Sequence, residues 1–372
     1  MGAFRGVKIA DFSRVLAGPY ATMLLGDMGA QVIKVERPGL GDDTRSWGPP
    51  FDSQGRATYF QSVNRNKEGI TADLSTDVGK RKALDLIATC DVLVENFAVG
   101  TMEKFGLGYA ELSKEFPRLI YCSISGFGTS EEAKVLPGYD LLVQAMSGLM
   151  SITGTDSDHP SKVGVALVDV LAGLHSSLGI VAALYHRKES GRGQKIEINL
   201  LSSALSGMVN QSGAFASAGV IPQAMGNAHP SIAPYEVYPT KDKQIVIAVG
   251  NDGQFAKLCA VLGIEFHKDP RFTTNPDRVK NRTQLNALLF PLLATRSAQE
   301  LVQAFTEVGV PAGTINNIAE AVELAEKLGL NPIVTITDER DGTTSQTIAN
   351  PISFSETPVE YRLGPPSLGV DD

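Results

Sequence analysis

Apolar and polar positions follow two different periods in the first half of the chain. Residues 7–12 and 31–36 are short apolar runs typical of buried strands, whereas residues 20–28, preceded by Pro19 and ended by Gly29, follow a helical period. Parallel strands are joined by crossovers that are usually helices, so this order predicts a βαβ unit and a parallel sheet. The same alternation predicts helices at 80–88, 102–107, 109–115 and 139–147, and strands at 91–95, 118–125 and 195–199.

The strongest helical pattern covers residues 165–187. One face of this predicted helix is apolar and carries Leu167, Leu171, Leu174, Leu178, Val181 and Tyr185. Asp169 is the only acid in the stretch 164–173 and lies roughly opposite that face, together with Gly173 and Ser176. Side chains this small allow another backbone or a ligand to approach closely. A further helix is predicted at 200–216.

The pattern changes after about residue 220. Residues 226–234 are rich in helix and strand breakers, and the alternation at 235–239 and 244–249 predicts a hairpin. Helices are predicted at 252–262, 278–293, 298–308 and 319–328. The predicted fold is therefore α/β. It has a large parallel-sheet domain at 1–215, a smaller α+β domain at 225–315, and a segment at 320–372 that returns to the large domain.

Composition limits the classes of function. The chain has 372 residues, a net charge of −8 and a pI near 5.3, which argues against bulk binding of nucleic acid or of an acidic membrane surface. A local group of Lys and Arg side chains could still hold an anionic ligand. The three cysteines lie far apart without a CxxC pair, so we expect no disulfides, no metal site and a cytoplasmic location. We expect neither a signal peptide nor a membrane span, because no apolar run reaches ~18 residues.

The turn after the first predicted strand lacks the GxGxxG pattern of dinucleotide-binding domains, since it reads Ser13-Arg-Val-Leu-Ala-Gly-Pro19. Glu36 lies at the end of the second strand, where dinucleotide-binding domains carry the acid that binds the ribose. An acid at this position can equally be an exposed residue at the end of a strand. A nicotinamide-dependent oxidoreductase is therefore the weaker alternative. The helix after this turn begins with free N–H groups, which favour an anion.

Basic side chains are predicted in loops along one edge of the sheet, and they are Arg14, Arg37, Arg65, Lys67 and Lys104. Exposed basic residues commonly have no specific ligand, yet such a group could clamp phosphates. Arg37 follows the end of a strand, where ligands bind in parallel sheets, and it is the best candidate. Asn96 also follows a strand, and its amide suits either adenine or pantetheine, or the backbone of its own turn.

Asp169 has two alternative roles. At the head of a helix, it could cap free N–H groups and interact favourably with the helix dipole. In a dry site, it could instead be a carboxylate nucleophile toward a carbonyl, with backbone N–H groups holding the oxyanion. In either role, we expect the helix start to lower the pKa of Asp169 and keep it ionised. Ser–His–Asp hydrolysis has no support, because there is no GxSxG motif.

Several segments, in order along the chain, resemble the class III CoA-transferases, the CaiB/BaiF family. They are Asp11-Phe-Ser-Arg-Val-Leu-Ala-Gly-Pro19, Gly26-Asp-Met-Gly-Ala30, Val35-Glu-Arg-Pro-Gly39, Asn64-Arg-Asn-Lys67, Val94-Glu-Asn-Phe97, Ile124-Ser-Gly-Phe-Gly128 and residues 137–150, which begin Pro-Gly-Tyr-Asp. As a set, they are specific and cover most of the chain. Residues 41–51 and the loop ending Ile232-Ala-Pro-Tyr235 resemble the dicarboxylate branch that includes succinate–hydroxymethylglutarate (glutarate) CoA-transferase.

The resemblance implies a Rossmann-like large domain and a homodimer of two interlocked rings. It also implies acyl-CoA and carboxylic-acid substrates, with no tightly bound cofactor. The family's nucleophile falls at Asp169, which would attack the donor acyl-CoA to give an aspartyl anhydride and then an aspartyl-CoA thioester for the acceptor acid. Tyr139 would lie near the reacting acyl group. The residues placed around CoA are Leu16, Ala17, Arg37, Ala72, Asp73, Leu74, Ser75, Asn96, Phe97 and Lys104.

The same fold hosts 2-methylacyl-CoA racemases, which use a His and an Asp as two bases. The racemase His falls at Tyr139, and tyrosine, with an ordinary pKa of ~10, is a poor base near neutral pH, so CoA transfer is favoured over racemisation. A non-catalytic CoA-binding protein is a further alternative. Departures from the family pattern at 128–134 and 226–230 leave the acceptor acid open, and they argue against a formyl-CoA/oxalate enzyme.

Overall fold

A computed structural model describes residues 2–372 of the chain, which divides into two compact units. The first unit comprises the chain up to Met150, Lys162–Ile221 and Asn331–Asp372. The second unit comprises Ser151–Ser161 and Pro222–Leu330.

A six-stranded parallel sheet organises the first unit. Its strands are β1 Lys8–Asp11, β2 Gln31–Glu36, β3 Lys67–Thr71, β4 Val92–Glu95, β5 Ile120–Ser125 and β6 Lys195–Asn199. They lie in the order β3-β2-β1-β4-β5-β6, and Ile9 of β1 pairs with Val32 on one side and with Val92 on the other. These central strands are buried on both faces, which explains their continuous apolar runs. The predicted α/β class with a parallel sheet is confirmed.

Helices cover this sheet, and those of the first unit are α1 Ala17–Asp27, α2 Thr58–Val63, α3 Asp77–Ile87, α4 Thr101–Lys104, α5 Tyr109–Glu115, α6 Glu131–Lys134, α7 Asp140–Met146, α8 Leu167–Ser190, α9 Leu200–Gly207 and α10 Asn210–Ala218. Helices α1 and α8 approach closely at Gly173, where a Cβ atom would lie 2.7 Å from the carbonyl oxygen of Ala17. The prediction that small residues beside Asp169 admit a second backbone is therefore confirmed.

Helix α8 is long and apolar enough to cross a membrane, judged by length and composition alone. In the first unit, its side chains Val168, Ala172 and Ile180 are buried in the same core as Ile9 and Val94 of the sheet. Packing within the fold therefore accounts for one apolar face of this helix.

The second unit has its own sheet and core. Strands β7 Tyr235–Tyr238, β8 Ile245–Ala248 and β9 Ala312–Thr314 are antiparallel and lie in that order, so the predicted hairpin is confirmed. The helices are α11 Asp252–Leu262, α12 Asn275–Lys280, α13 Arg282–Leu293, α14 Ala298–Glu307 and α15 Ile318–Lys327. Tyr238, Phe255, Leu285 and Phe305 are fully buried in its core.

The C-terminal segment attaches to the sheet of the first unit. It forms a hairpin of β10 Ile333–Thr337 and β11 Thr344–Ile348. Asn350 donates to the buried carboxylate of Asp27 at 3.0 Å, and the backbone N–H of Asp371 donates to the carbonyl of Gly69 in β3. These contacts attach the last forty or so residues to α1 and to the edge strand.

The sequence prediction is wrong at several elements. The helix predicted at 200–216 is broken at Val209, whose φ is 40°, and the helix predicted at 278–293 is interrupted at Asn281. Helix α2 and strand β3 are absent from the prediction. Strand β3 lacks a run of apolar residues, since it reads Lys67-Glu-Gly-Ile-Thr71. Its first side chain, Lys67, is charged but fully buried, and it forms an ion pair with Asp11.

Candidate active site at the carboxyl edge of the sheet

The loops that follow the parallel strands meet at one edge of the sheet, where ligands bind in folds of this kind. Two cavities open there. The larger, of about 590 Å³, has Asp169 and Tyr139 on its wall. The smaller, of about 280 Å³, has Arg37 on its wall, and Arg14 and Phe97 line both cavities. The shared wall indicates one elongated binding site.

Asp169 is the third residue of α8, but it is not the cap of that helix. The N-cap position is Ala166, and no side chain of the helix start caps its own N–H groups. The free N–H groups of Val168 and Asp169 instead donate to the Oδ1 atom of Asp140, at 2.8 and 3.2 Å. The capping role belongs to a residue of α7, which leaves the Asp169 carboxylate available for chemistry.

The environment of Asp169 opposes its ionisation. Burial raises the pKa of Asp169 to about 7, and the neighbouring Asp140 carboxylate adds to the effect. The expectation that the helix start lowers this pKa is wrong, because the N–H groups at the start of α8 already bond to Asp140. A carboxylate that is poorly solvated when ionised is a stronger nucleophile than one in water.

Aromatic side chains line the same cavity as this carboxylate or sense its charge. Tyr139 immediately precedes α7 and lines the larger cavity with Asp169, so the two residues that the sequence pairs are brought together. Burial, followed by the charges of Asp169 and Asp140, raises the pKa of Tyr59 to about 12. The Tyr59 ring also meets Trp47 edge-on, with centroids 5.6 Å apart.

The residues predicted to surround CoA fall mostly on the two cavity walls. Leu16, Ala17 and Asn96 line the larger cavity, and Phe97 lines both. The smaller cavity is lined by Arg37, Ala72, Asp73, Leu74 and Ser75. Lys104 lies exposed at the end of α4 and is on neither wall, although its neighbour Phe105 lines the smaller cavity.

The side chain of Asn96 joins its own loop to the loop after β1. Its side-chain oxygen accepts the backbone N–H of Arg14 at 2.8 Å, and its amide donates to the carbonyl of the same residue at 2.7 Å. The backbone that Asn96 bonds belongs to the loop after β1, 82 residues earlier, and not to its own turn as the alternative supposed, while contact with CoA stays a prediction. The Arg14 guanidinium lies 5.3 Å from the centre of the Phe97 ring and 3.4 Å from the Asp43 carboxylate.

Two of the basic residues considered as a phosphate clamp are buried in ion pairs. Arg65 pairs with Asp27 at 2.7 Å, and Lys67 pairs with Asp11 at 3.0 Å. Their assignment to the clamp is therefore wrong. Arg37 is exposed at the smaller cavity. The pKa of Asp73 on the same wall is lowered, first by hydrogen bonds from Ser75 and then by the charge of Arg37.

Glu36 is neither a solvated strand end nor free to bind a ribose. Its carboxylate is buried, pairs with Arg45 at 2.6 Å and accepts the backbone N–H of Asp42 at 2.8 Å. Within residues 2–372, no three His, Cys, Asp or Glu side chains gather in a group that could hold a metal ion.

Sequence reasoning missed Asp140, Tyr59 and Trp47 as site residues. Asp140 has a signal in the sequence, because it is an acid at the start of the predicted helix 139–147 and directly follows Tyr139. Tyr59 has none, because it belongs to α2, which the periodicity does not reveal.

Comparison with known proteins identifies the family of the chain. Residues 4–372 match CoA-transferase family III. The chain is 42% identical to the succinate–glutarate CoA-transferase of Agrobacterium fabrum, over 98% of this chain and 92% of that protein. It is 40% identical to the succinyl-CoA:glutarate CoA-transferase of Mus musculus, over 99% and 84% of the two chains.

A solved structure supports the same assignment. A CaiB/BaiF family protein from Brucella suis is 41% identical and aligns with a TM-score of 0.86, covering 99% of this chain and 97% of the other. Since both the sequence and the fold match over essentially their whole length, this chain belongs to CoA-transferase family III.

Proposed function

We propose that this enzyme moves CoA from a dicarboxylic acyl-CoA, such as succinyl-CoA, to a second dicarboxylic acid, with Asp169 as the nucleophile. The observation that carries the proposal is the position of Asp169: it has no capping role, and it lies on the cavity wall that also holds the predicted CoA residues Leu16 and Ala17. CoA and its thioesters are substrates in this proposal, with no tightly bound cofactor.

The proposed reaction needs no external acid or base. The ionised Asp169 carboxylate attacks the thioester carbonyl, the C–S bond breaks, and an aspartyl–acyl anhydride and CoA thiolate result. The thiolate attacks the aspartyl carbonyl of the anhydride, forming an aspartyl-CoA thioester and releasing the donor acid as its carboxylate. The acceptor carboxylate then attacks this thioester, the C–S bond breaks, and a new aspartyl–acyl anhydride and CoA thiolate result. The thiolate attacks the acyl carbonyl of the new anhydride, which forms the product acyl-CoA and releases the Asp169 carboxylate.

Dicarboxylic substrates are supported by two cationic side chains on the wall of the larger cavity, which also carries Asp43, Asp140 and Asp169, and by the relatives. Arg14 and Lys134 are the cationic side chains on its wall within residues 2–372, and a cation there can bind the distal carboxylate of the acyl group. The relatives from Agrobacterium fabrum and Mus musculus are both named for glutarate.

Racemisation is the second candidate, and the site disfavours it. It would need a second base opposite Asp169, and the lining of the larger cavity in residues 2–372 includes no histidine. Tyr139 is a poor base near neutral pH. Exchange of the α-proton of a 2-methylacyl-CoA in deuterated water, at the turnover rate and without an acceptor acid, would favour the racemase.

The decisive experiment combines turnover with trapping. Succinyl-CoA is supplied with glutarate and with a panel of mono- and dicarboxylic acids, and the enzyme is quenched with hydroxylamine or borohydride during turnover. Mass spectrometry should find the adduct on Asp169, and Asp169→Ala should lose both adduct and transfer. The matched control is Asp85→Asn, an exposed acid on α3, which should keep both. Transfer that survives Asp169→Ala contradicts the mechanism.

A homodimer of interlocked rings is part of the proposal. Apolar side chains along α8 are exposed in the single chain, including Leu174 at 45%, Leu178 at 68% and Tyr185 at 68%. An exposed row of apolar side chains favours burial against a second copy of the chain. Isotope-labelled and unlabelled dimers should not exchange subunits until they are unfolded, and Leu178→Glu should reduce dimer yield. Val78→Glu, at an 82% exposed valine on α3, should not.

Two finer assignments are also proposed. The strand order is that of the Rossmann fold, which supports a Rossmann-like first unit. A cytoplasmic location is supported by the free cysteines Cys90, Cys122 and Cys259. Fractionation of cells that express the enzyme would test the location, and recovery outside the cytoplasm would contradict it.

A further inference from the structure

The turn that leads into the larger cavity contains a strained residue. Val15 has a φ of 66°, in the left-handed region that glycine occupies without strain and a β-branched residue rarely adopts. Such a conformation persists only where surrounding structure holds it, and it is frequent at functional sites. The next residues, Leu16 and Ala17, line the cavity that also holds Asp169.

A buried ion pair holds this turn. The Asp42 carboxylate accepts the backbone N–H of Val15 at 3.3 Å. The Lys34 ammonium donates to the carbonyl of Ser13 at 3.0 Å and to Asp42 at 2.9 Å. The pair therefore binds a backbone donor and a backbone acceptor on the two sides of Arg14.

The burial of the pair is complete, since the side chains of Lys34 and Asp42 are both 0% exposed. Burial alone would lower the pKa of Lys34, but the carboxylates of Asp42, Asp11 and Glu36 outweigh it and raise that pKa, so the ammonium stays charged. A fully buried ion pair commonly adds little net stability, because desolvation offsets the attraction. The specific effect of the pair is therefore on the turn, whose backbone it bonds at Ser13 and Val15.

We infer that Lys34 and Asp42 are positioning residues for CoA transfer: they hold Val15 in its left-handed conformation, and so place Leu16 and Ala17 against the thioester beside Asp169. This inference rests on the proposed function. Leu16 and Ala17 line the cavity that holds Asp169. Loss of the Lys34–Asp42 pair should therefore lower kcat more than it raises KM.

A double-mutant cycle tests the inference with succinyl-CoA as donor and glutarate as acceptor. Asp42→Asn removes the charge that holds Lys34 and should lower kcat about 10- to 100-fold, with KM for the donor changed less than about 3-fold. Glycine adopts the φ of Val15 unaided, so the same substitution in a Val15→Gly background should cost less than about a third of that factor. If Asp42→Asn does not fold, Lys34→Gln is measured in the same two backgrounds.

The matched control is Asp27→Asn, the same substitution in another buried ion pair of this unit. It should lower the melting temperature but leave kcat of the folded enzyme within about 2-fold, because Asp27 bonds Arg65, Asn66 and Asn350 rather than the turn. If Asp42→Asn lowers kcat by the same factor in the wild-type and Val15→Gly backgrounds, the inference is overturned. The proposed function still stands in that case, provided that the wild-type enzyme transfers CoA. Transfer that survives Asp169→Ala contradicts the proposed function instead.

Discussion

The Oδ1 atom of Asp140 accepts the backbone N–H of Asp169 at 3.2 Å and that of Val168 at 2.8 Å. One carboxylate therefore caps α8 and stands beside the carboxylate proposed as nucleophile. Its second oxygen accepts the side-chain amide of Gln144 at 2.7 Å, which fixes its orientation. Asp140 thus orients the start of the helix and, by its charge, helps burial to raise the pKa of Asp169.

The raised pKa predicts a pH dependence for the wild-type enzyme. In the proposed mechanism, only the ionised Asp169 attacks the thioester, and burial raises its pKa to about 7. We expect kcat/KM for the donor to rise with pH between about 5.5 and 8, with its midpoint near 7, and then to level off. An aspartate with an ordinary pKa would give a flat profile over that range. Initial rates with succinyl-CoA in buffers of constant ionic strength measure it, and a flat profile contradicts the raised pKa.

Asp140→Asn should shift that profile toward lower pH. The amide oxygen can still accept the N–H groups of α8, but the charge that opposes ionisation of Asp169 is gone. Because burial, the larger cause, remains, the shift should be partial. We expect the ratio of the rate at pH 6 to that at pH 8 to increase about 2- to 5-fold. The matched control Asp85→Asn should leave the profile unchanged, and an unshifted Asp140→Asn profile would rule out the charge effect.

Asp169→Asn should stabilise the fold while it abolishes transfer. An acid whose pKa is raised from 3.8 to about 7 on folding binds more protons when folded, so it lowers stability as pH rises through that interval. The neutral amide lacks this penalty. We expect a gain on the order of 1–3 kcal/mol at pH 8 and little gain near pH 4. Thermal unfolding of both proteins at the two pH values measures it, and a gain that does not grow with pH contradicts the explanation.

The parallel sheet and the place of Asp169 could be predicted from the sequence because they depend on local patterns. Continuous apolar runs identify buried strands such as β1 and β4, and the motif around Asp169 is contiguous. The raised pKa of Asp169 could not be predicted, because it arises first from burial in the folded chain and then from the charge of Asp140, which lies 29 residues earlier in the chain.

Buried charges were the main source of error for the candidate site. The sequence suggests that Arg65 and Lys67 are exposed basic residues in loops. In the structure both are buried and form ion pairs with acids that lie 38 and 56 residues earlier in the chain. Lys34 has a visible signal, as a lone cation among the apolar residues of β2, but only the structure shows that it holds the turn at Ser13. Local patterns therefore locate charged residues without showing which of them pair.

Arg37, unlike the buried cations, should bind a phosphate of CoA. It is exposed at the smaller cavity, and an exposed guanidinium can form a bidentate contact with a phosphate. We expect Arg37→Met to raise KM for succinyl-CoA about 10-fold, with kcat changed less than about 2-fold, because the contact lies away from Asp169. Steady-state kinetics at fixed ionic strength measure both constants.

The identity of the bound phosphate follows from a second substrate. If Arg37 binds the 3′-phosphate of CoA, Arg37→Met should cost little with succinyl-3′-dephospho-CoA, because that substrate lacks the group already. If the penalty is the same for both thioesters, the contact is to the pyrophosphate. The matched control is Arg81→Met, at an exposed arginine of α3 that lines neither cavity, and it should leave KM unchanged. An unchanged KM for Arg37→Met would remove Arg37 from the CoA site altogether, because no other step of the proposed reaction uses its charge.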